Sequence, residues 1–534
     1  MSTFENILIP GRHHLLTNFQ YEYLKNLLSD GQSLDINGQP IKLRPSPNII
    51  WAVTSANHEN TRRNPIPSNR REQAIETFCE ELPATSFSYP INDLGYTQRF
   101  ADFVIKEITV QSRGQFNISP SNTLVLCSTP SVIDMYEKLG YVIAPAELTN
   151  RQTAEASHKR PWDLVLAIVA AGASWRNDPL YQSDVHYSSR QMLEKYRLGD
   201  LILEVFNDPL LGDEGDITET RDYETYRRDF EVGAERKFEL IKPFIKSGRV
   251  VDIGCATGGV IQLMSRDPKL AESDLYGIEA SRKLYDICEQ RRKNGEFSND
   301  NVFFYQRNIM TGMIFPDNSI DTTTTFSLTH EIESYLGRDA LLQFIKKIYA
   351  QTASGGVFIN SDVVAPDNKD QLVLLKLNNS NGRTENWEEI DVSPKVDTEH
   401  IKELSTLGRF RRFSRDFRAE EQQKFEFKQV QDNGSEYIEL RLADACEFLS
   451  KKDYTDSWYS EMHETFCYWN YEQWCQAVKQ VGFSVMDGSN AYTNDWVIEN
   501  RYKDGAQLFV RGDDGLKPLD FPVTNMLLIA EKTT

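Results

Sequence analysis

The sequence contains little cysteine and no long hydrophobic run. Its 534 residues include seven scattered cysteines and no C-x-x-C pair, which suits reduced thiols in a cytoplasm. No histidine and cysteine residues are spaced like metal ligands, so the sequence predicts no metal site. No apolar run approaches the roughly 20 residues that a membrane-spanning helix needs, and the first residues lack the basic and apolar segments of a signal peptide. We therefore expect a cytoplasmic protein without a membrane partner.

Positive charge is also scarce. Lysine and arginine together number 59 against 79 aspartate and glutamate residues, which gives a formal net charge of −20. A surface this acidic argues against a nucleic-acid backbone or an anionic membrane as the main partner. The 534 residues exceed what one hydrophobic core usually holds, so we expect two or three domains. None of these features indicates an oligomeric state.

The first two hundred residues alternate between strand and helix patterns. Apolar and β-branched runs predict strands, and apolar residues at helical spacing predict the helices between them. The predicted strands are Asn6–Pro10, Asn48–Thr54 and Leu124–Cys127, and the predicted helices are Asn18–Leu28, Arg70–Glu80 and Ser131–Leu139. This alternation predicts a doubly wound parallel sheet with helices on both faces.

Polar and basic residues follow the first two predicted strands, where a nucleotide-binding turn would lie. They are Gly11, Arg12, His14, Thr17, Gln20, Arg62 and Arg63. In order and spacing they resemble the nicotinamide-nucleotide adenylyltransferase branch of the HIGH nucleotidyltransferase superfamily, over residues 5–210. The resemblance implies a site for ATP or CTP with Mg²⁺, in which these seven residues contact the nucleotide.

One stretch departs from the pattern of that superfamily. Its members carry H-x-G-H or T-x-G-H, whereas this sequence has Thr17-Asn18-Phe19-Gln20. Glutamine donates a hydrogen bond but carries no positive charge, so it offers less to the charge that develops on a triphosphate. Two interpretations remain open: the region transfers a nucleotidyl group, or it only binds a nucleotide or supports the rest of the chain.

A glycine-rich turn in the second half is the most informative motif of the chain. Arg249–Ile253 predicts a buried strand, and Gly254 and Gly258 predict a tight turn after it. Val260–Met264 predicts the start of a helix. Such a unit brings main-chain N–H groups close to a ligand. Glu279 ends the next predicted strand, and a carboxylate there can accept hydrogen bonds from ribose hydroxyls.

The spacing of this turn resembles motif I of class I S-adenosylmethionine-dependent methyltransferases. Dinucleotide-binding enzymes use G-x-G-x-x-G, but here the pattern is D-x-G-x-x-x-G, with Ala256 at the second glycine position. The resemblance implies S-adenosylmethionine as cofactor, with Asp252 at its ammonium group, Glu279 at its ribose and Asn308 at its adenine. The implied cofactor-binding residues are Asp252, Gly254, Cys255, Ala256, Gly258, Glu279, Ala280, Asn308, Ile309 and Phe326.

A histidine and a glutamate follow the fourth predicted strand of this half. The strand Thr322–Leu328 and Asp321 before it resemble motif IV of the same family, and His330 and Glu331 come shortly after. Active sites of such sheets lie at the carboxyl ends of the strands, so we expect both side chains to face the pocket. A histidine can remove a proton from a methyl acceptor near neutral pH. We predict His330 as the catalytic base, and Glu331 as the residue that orients it or binds the acceptor.

Together these patterns predict an α/β protein with two doubly wound parallel-sheet domains. We expect a nucleotidyltransferase-like domain at 1–207, a charged linker and helix at 208–236, and a Rossmann-like class I methyltransferase domain at 237–534 with a charged insertion at 366–456. The predicted function is S-adenosylmethionine-dependent methyl transfer to a small-molecule acceptor, nucleotide-linked or phosphorylated, in a bifunctional chain. Two alternatives stay open: adenylyl or cytidylyl transfer as the main activity, and a scaffold or regulatory protein that senses S-adenosylmethionine.

Overall fold

A computed structural model describes residues 3–94, 97–208, 212, 233–311, 315–385, 398–419, 421, 425–513 and 515–533. The chain divides into two compact units, Met1–Gly215 and Asp216–Thr534. Among the described residues, every helix is too short or too polar to span a lipid bilayer.

The N-terminal unit is built on one mainly parallel sheet, with strands numbered in chain order. They are β1 (Thr3–Gly11), β2 (Gln32–Leu34), β3 (Pro40–Val53), β4 (Thr85–Pro90), β5 (Thr123–Leu126) and β6 (Val142–Ala144). The parallel strands follow the order β4-β3-β1-β5-β6, and β2 joins β3 as an antiparallel strand. The order reverses between β1 and β5, and doubly wound sheets bind their ligands at such a reversal.

Helices cover this sheet, and its strands contribute to two hydrophobic cores. The helices are α1 (Asn18–Asp30), α2 (Ser68–Cys79), α3 (Phe100–Gln111), α4 (Pro130–Lys138), α5 (Pro161–Ala171), α6 (Pro179–Asp184), α7 (Tyr187–Lys195) and α8 (Leu198–Phe206), and a short hairpin pairs β7 (Leu148–Asn150) with β8 (Glu155–Ala156). Ile7 and Ile9 belong to one core and Leu8 to the other, because successive side chains of a strand point to opposite faces.

The C-terminal unit contains an eight-stranded sheet. Its strands are β9 (Arg249–Ile253), β10 (Asp274–Glu279), β11 (Val302–Gln306), β12 (Ile320–Phe326), β13 (Thr352–Val363), β17 (Ser484–Val485), β18 (Asn490–Tyr492) and β21 (Asn525–Glu531). The order is β11-β10-β9-β12-β13-β21-β17, with β18 also paired to β21. The first five strands of that order are parallel and β21 is antiparallel to β13. The order reverses between β9 and β12, so their carboxyl ends flank the expected ligand cleft.

Helices precede, connect or follow the strands of this sheet. They are the helical segment α9 at 233–241, and α10 (Gly259–Arg266), α11 (Arg282–Lys293), α12 (Thr329–Leu336), α13 (Arg338–Gln351) and α18 (Tyr471–Val481). Two apolar cores include residues of the sheet. Val251 of β9 belongs to one and its neighbour Val250 to the other. Both are fully buried, as expected for a central parallel strand.

A second, antiparallel sheet belongs to the same unit. Its strands are β14 (Leu372–Leu377), β15 (Lys428–Asp432), β16 (Ser435–Arg441), β19 (Ala506–Gly512) and β20 (Gly515–Leu519), in the order β15-β16-β14-β19-β20. Helices α14 (Thr398–Glu403), α15 (Thr406–Asp416), α16 (Leu442–Lys451), α17 (Trp458–His463) and α19 (Asp495–Val497) accompany it. This subdomain has its own core, with Phe410, Phe448 and Trp458 completely buried.

The structure confirms the α/β class and corrects the predicted insertion. The range 366–456 covers only part of the second sheet, because β14 pairs with β19, far along the chain. The two inserted segments could not be joined by sequence pattern, since pairing between distant strands leaves no local signal. Most of the predicted linker and helix at 208–236 lies outside the described residues, of which 233–236 belong to α9.

Candidate active site

The turn after β9 has the strained main chain that a ligand-binding loop requires. Gly254 and Gly258 have φ values of 72° and 75°, and Ala256 between them has φ 49°. Gly254 N and Cys255 N both donate to the carbonyl of Ile278 in β10, at 2.8 and 3.2 Å. Gly258 is the N-cap of α10. The turn therefore lies against the end of β10, with the amino end of a helix directly behind it.

A cleft opens beside this turn. It is lined by Ala234, Lys237, Asp252, Gly254, Cys255, Ala256, Thr257, Gly259, Val260 and Phe326. Five of the predicted cofactor-binding residues belong to this lining: Asp252, Gly254, Cys255, Ala256 and Phe326. Ala234 and Lys237 come from α9, and neither was predicted as a site residue. The only signal for them was the helical pattern before β9.

Asp252 and Lys237 give this cleft its electrostatic character. The hydroxyl of Thr324 donates to Asp252 Oδ1 at 2.8 Å. Burial raises the pKa of Asp252 to about 7, although the hydrogen bond from Thr324 and the charge of Lys237 act in the opposite direction. Burial lowers the pKa of Lys237 to about 8, against the charges of Asp252 and Asp362. Lys237 Nζ also lies 5.6 Å from the ring centre of Phe326. The cleft thus holds a cationic group close to a buried carboxyl group.

Glu279 braces the turn from the neighbouring strand. Its Oε2 accepts from Ala256 N at 2.9 Å, and its Oε1 accepts from Ser281 N at 2.8 Å. Two main-chain donors fix both carboxylate oxygens at the carboxyl end of β10. The side chain is 6% exposed. The carboxylate is therefore immobilised beside the cleft before any ligand arrives.

Four other predicted cofactor residues do not line the cleft. Gly258 lies within the turn, and Ala280 follows Glu279 directly. Asn308 and Ile309 follow β11 and are buried. Asn308 Oδ1 accepts from Met310 N at 2.8 Å, which is the contact of a turn amide. The adenine-reading role of Asn308 stays a prediction.

His330 lies in a dense polar cluster at the carboxyl ends of β12 and β13. Its Nδ1 lies 2.7 Å from Asp362 Oδ1 and its Nε2 lies 3.4 Å from Glu464 Oε2. Asp362 Oδ2 also accepts from Thr329 N and Thr329 Oγ1, at 2.8 and 2.6 Å. Glu331 contributes a ligand atom within 4.8 Å of those of His330 and Glu464. The structure thus brings both predicted catalytic residues together with two carboxylates that the sequence did not identify.

This environment differs from the one expected for a catalytic base, and the catalytic roles of His330 and Glu331 stay predictions. Burial alone would lower the pKa of His330, but Asp362 and Glu464 hold it well above its ordinary value. The ligand-free imidazole is therefore protonated near neutral pH, whereas a base needs the neutral form. Asp362, rather than Glu331, contacts Nδ1 and fixes the ring. Register between parallel strands places Asp362 here, which the sequence could not show.

In the N-terminal unit, two predicted nucleotide ligands form a helix cap. Thr17 Oγ1 accepts from Gln20 N at 3.0 Å, and Gln20 Oε1 accepts from Thr17 N at 3.1 Å. This reciprocal pair is the capping box of α1. Gln20 therefore has a structural role at the position where the superfamily has a phosphate-binding histidine, and nucleotide contact by Thr17 and Gln20 stays a prediction.

The remaining predicted ligands do gather at one edge of the first sheet. Arg12 Nη1 and His14 Nε2 lie 3.4 and 3.2 Å from the carbonyl oxygen of Arg63. Burial and the charge of Arg71 hold the pKa of His14 well below its ordinary value. Arg71, which the sequence did not single out, donates to the carbonyls of Arg12, Thr54 and Ser55.

Gly11 and Arg62 also belong to the predicted nucleotide-binding residues. Gly11 ends β1, and Arg62 donates to the Asp208 carbonyl. The cationic side chains of Arg62 and Arg71 therefore donate hydrogen bonds to main-chain carbonyl groups.

One comparison with known proteins concerns the C-terminal unit. Residues 245–434 match the family model described as a methyltransferase domain. The C-terminal unit therefore contains a region similar to methyltransferase domains. The matched range begins just before β9 and includes the glycine turn, Glu279 and His330. The findings support no nucleotidyltransferase family for the N-terminal unit. A search of curated proteins gives no match.

Solved structures similar to this chain include three whose alignments cover little more than half of it. A putative S-adenosylmethionine-dependent methyltransferase from Listeria monocytogenes is 14% identical, covers 57% of this chain and 99% of its own, and has a TM-score of 0.29. An S-adenosylmethionine-dependent methyltransferase from Mesorhizobium loti is 12% identical, the alignment covers 56% of this chain and 99% of that one, and the TM-score is 0.31. A third is geranyl diphosphate C-methyltransferase from Streptomyces coelicolor, solved with Mg²⁺, geranyl diphosphate and S-adenosyl-L-homocysteine. It is 11% identical, the alignment covers 60% of this chain and 88% of that one, and the TM-score is 0.30.

Proposed function

We propose that this protein transfers the methyl group of S-adenosylmethionine to a small-molecule acceptor, and that the cofactor binds in the cleft beside the Gly254–Gly258 turn. The observation that supports this most directly is the pairing of a main-chain turn open to a ligand with two carboxyl groups. Asp252, the second-last residue of β9, lines the cleft, and Glu279 is fixed at the end of β10.

Each of these groups suits one part of the cofactor. The ammonium group of the methionine moiety would pair with Asp252, where Lys237 now supplies positive charge. The ribose hydroxyls would donate to the carboxylate of Glu279. The adenine would extend toward Asn308, at the end of the next strand. This arrangement points the methyl group toward the ends of β12 and β13.

The acceptor would lie on the side of His330 and Asp362. Phe326, at the end of β12, lines the cofactor cleft, and His330 begins the helix that follows it. The charge of Lys237 interacts with those of both Asp252 and Asp362, so both carboxyl groups lie within electrostatic range of one side chain. Methyl transfer needs the acceptor lone pair in line with the departing sulfur, and holding that geometry supplies much of the rate enhancement.

Calorimetry tests cofactor binding directly. We expect the full-length protein to bind S-adenosylmethionine and S-adenosylhomocysteine, and Asp252→Ala to weaken S-adenosylmethionine by a larger factor than a substitution outside the cleft. Glu147→Ala is a matched control, because Glu147 is also buried but belongs to the N-terminal unit. Absence of binding by the unmodified protein would contradict the proposal. Binding without a methylated product in a screen of cell metabolites would favour a sensor of S-adenosylmethionine.

Nucleotide binding by the N-terminal unit is the second candidate function. It is favoured by the convergence of Gly11, Arg12, His14 and Arg63 at the carboxyl edge, where the strand order reverses. If this unit also transfers a nucleotidyl group, one chain would activate a phosphorylated molecule and methylate it. Calorimetry with ATP and with CTP, each with Mg²⁺, tests this. We expect Arg63→Ala to weaken whichever nucleotide binds, and lack of binding by both nucleotides would assign the unit a supporting role.

A further inference from the structure

The polar cluster at His330 presents three side chains that can ligate a metal ion. The ligand atoms of His330, Glu331 and Glu464 all lie within 4.8 Å of one another. His330 and Glu464 are buried, at 5% and 2% exposure, while Glu331 is partly exposed. One imidazole nitrogen and two carboxylate oxygens form a set that first-row divalent ions accept. The partly exposed Glu331 leaves a side from which an ion can enter.

The two ring nitrogens of His330 are already differentiated. Nδ1 lies 2.7 Å from Asp362 Oδ1, so the Nδ1 proton is directed at a carboxylate. Metal-binding histidines commonly have this arrangement, since the outer carboxylate fixes the ring and leaves the other nitrogen for the metal. Nε2 then faces Glu464 Oε2 at 3.4 Å. A lone pair and a carboxylate at that distance repel each other unless a positive centre, a proton or a metal ion, lies between them.

Glu464 is held in place by contacts with the helix that carries His330. Its Oε1 accepts from the hydroxyl of Tyr335 at 3.2 Å, and the next residue, Thr465, donates its N–H to Ser334 Oγ at 2.7 Å. Glu464 directly follows α17 of the inserted subdomain. The ligand is therefore supplied by the insertion but positioned by α12, at a fixed distance from the other two.

The charges of the cluster also favour a cation. Asp362, Glu464 and Glu331 place three carboxylates around one imidazole, and the charge of Lys237 also interacts with that of Asp362. Buried carboxylates are costly unless they are paired or coordinate a metal. A divalent ion with a neutral His330 balances two of them, and it adds coordination bonds in the same space.

We propose that His330, Glu331 and Glu464 bind a divalent transition-metal ion, with Asp362 as the outer partner of His330, and that this ion holds an oxygen-bearing methyl acceptor such as a hydroxyl or phosphate compound. The second part rests on the proposed methyl transfer. The first part does not. An acceptor oxygen bound to such an ion would lie at the strand ends toward which the methyl group points.

Metal binding can be measured on the whole protein without any methyl transfer. Mn²⁺ is the probe: chelator-treated protein is titrated while electron paramagnetic resonance records free Mn²⁺, and Zn²⁺ is then added as a competitor. We expect one Mn²⁺ per chain, displaced by Zn²⁺. Glu464→Gln should weaken Mn²⁺ at least tenfold, and Glu331→Gln provides the same readout from a partly exposed position. Glu333→Gln, on the same helix but paired with Arg338, is the control and should bind Mn²⁺ as the unmodified protein does.

The outcomes separate the two proposals. No stoichiometric Mn²⁺ or Zn²⁺ binding by the unmodified protein would overturn the metal site. So would a Mn²⁺ affinity in both Glu464→Gln and Glu331→Gln equal to that of the unmodified protein. Calorimetry with S-adenosylmethionine on the same samples shows whether the cofactor cleft is intact in each variant. Cofactor binding without Mn²⁺ binding would leave the methyltransferase proposal in place, and Mn²⁺ binding without cofactor binding would leave only the metal site.

Discussion

The carboxyl edges of the two parallel sheets carry similar residue types but use them differently. At the N-terminal sheet, Thr17 and Gln20 cap a helix, and Arg71 donates to three main-chain carbonyls. At the C-terminal sheet, Asp252 and Lys237 line an open cleft, and burial moves both of their pKa values toward neutrality. At the first edge, the polar side chains named here form hydrogen bonds with the main chain or with each other. At the second edge, the ionisable side chains Asp252 and Lys237 line a cleft.

This difference shows that a shared strand order does not imply a shared chemistry. Both sheets reverse their order at a central strand, and both place a loop and a helix at that point. Residues with positive φ occur in the loops of both edges, at His13 and Ser55 in the first and at Gly254, Ala256 and Gly258 in the second. In the second, a carboxylate on the adjacent strand, that of Glu279, also accepts a hydrogen bond from the turn. The four predictions that follow compare the two edges, from the largest expected effect to the smallest.

Glu279→Ala should have the largest effect. It removes the proposed ribose contacts and leaves the buried N–H groups of Ala256 and Ser281 without their acceptors. Hydrogen bonds to charged groups contribute about 1.5–3 kcal/mol each, so we expect at least a ~100-fold loss of S-adenosylmethionine affinity by calorimetry. Glu147→Ala in the N-terminal unit should leave that affinity unchanged. Equal losses in the two variants would mean that Glu279 acts only through overall stability.

Gly258→Ala should weaken the cofactor by roughly tenfold. Gly258 has φ 75°, and an added Cβ would lie 3.1 Å from the Phe304 ring. A non-glycine residue in this conformation costs about 1–2 kcal/mol. Gly31 of the N-terminal unit is a matched control, since it has φ 63° and nothing within 4 Å of an added Cβ. Gly31→Ala should reduce thermal stability but keep S-adenosylmethionine affinity, and a similar loss of affinity in both would refute a local role for Gly258.

The affinity for S-adenosylmethionine should depend on pH through Asp252. Its pKa of about 7 lies above the ordinary 3.8, so the carboxyl group is mainly protonated below pH 7. Pairing with the cofactor ammonium requires the carboxylate. Affinity should therefore rise with pH, by up to about tenfold per unit below pH 7, and level off above it.

Asp252→Asn should flatten this pH dependence of cofactor binding. The same shift makes a separate prediction for folding. The folded state binds more protons than the unfolded state between pH 3.8 and about 7, so this group lowers the free energy of unfolding as pH rises through that range. A cofactor affinity independent of pH in the unmodified protein would exclude Asp252 as the ammonium partner.

Gln20→Ala should have the smallest effect. It removes one half of the capping box of α1, which typically costs about 0.5–2 kcal/mol of unfolding free energy. Urea denaturation should show the loss, while S-adenosylmethionine affinity stays constant. Any binding of ATP or CTP should also persist in Gln20→Ala. A selective loss of nucleotide affinity with unchanged stability would restore Gln20 as a ligand.

Local patterns were sufficient for the elements and for the cofactor turn. Strand β9 was predicted with the bounds that it has in the structure, and the glycine turn follows it where the motif placed it. Such features depend on residues close in sequence: apolar periodicity, glycines at positive φ, and a carboxylate at a strand end. The proposed class of cofactor rests on these features.

What the sequence by itself determined is therefore the α/β class, the order of helices and strands, and the turn at Gly254–Gly258. Only the tertiary structure decided which side chains meet. Asp362 reaches His330 through strand register, Glu464 reaches it from an inserted subdomain, and Lys237 enters the cleft from a preceding helix. The physical reason is that these contacts join residues far apart along the chain, and their burial, which sets the pKa values of His330 and Asp252, exists only once the sheets have packed.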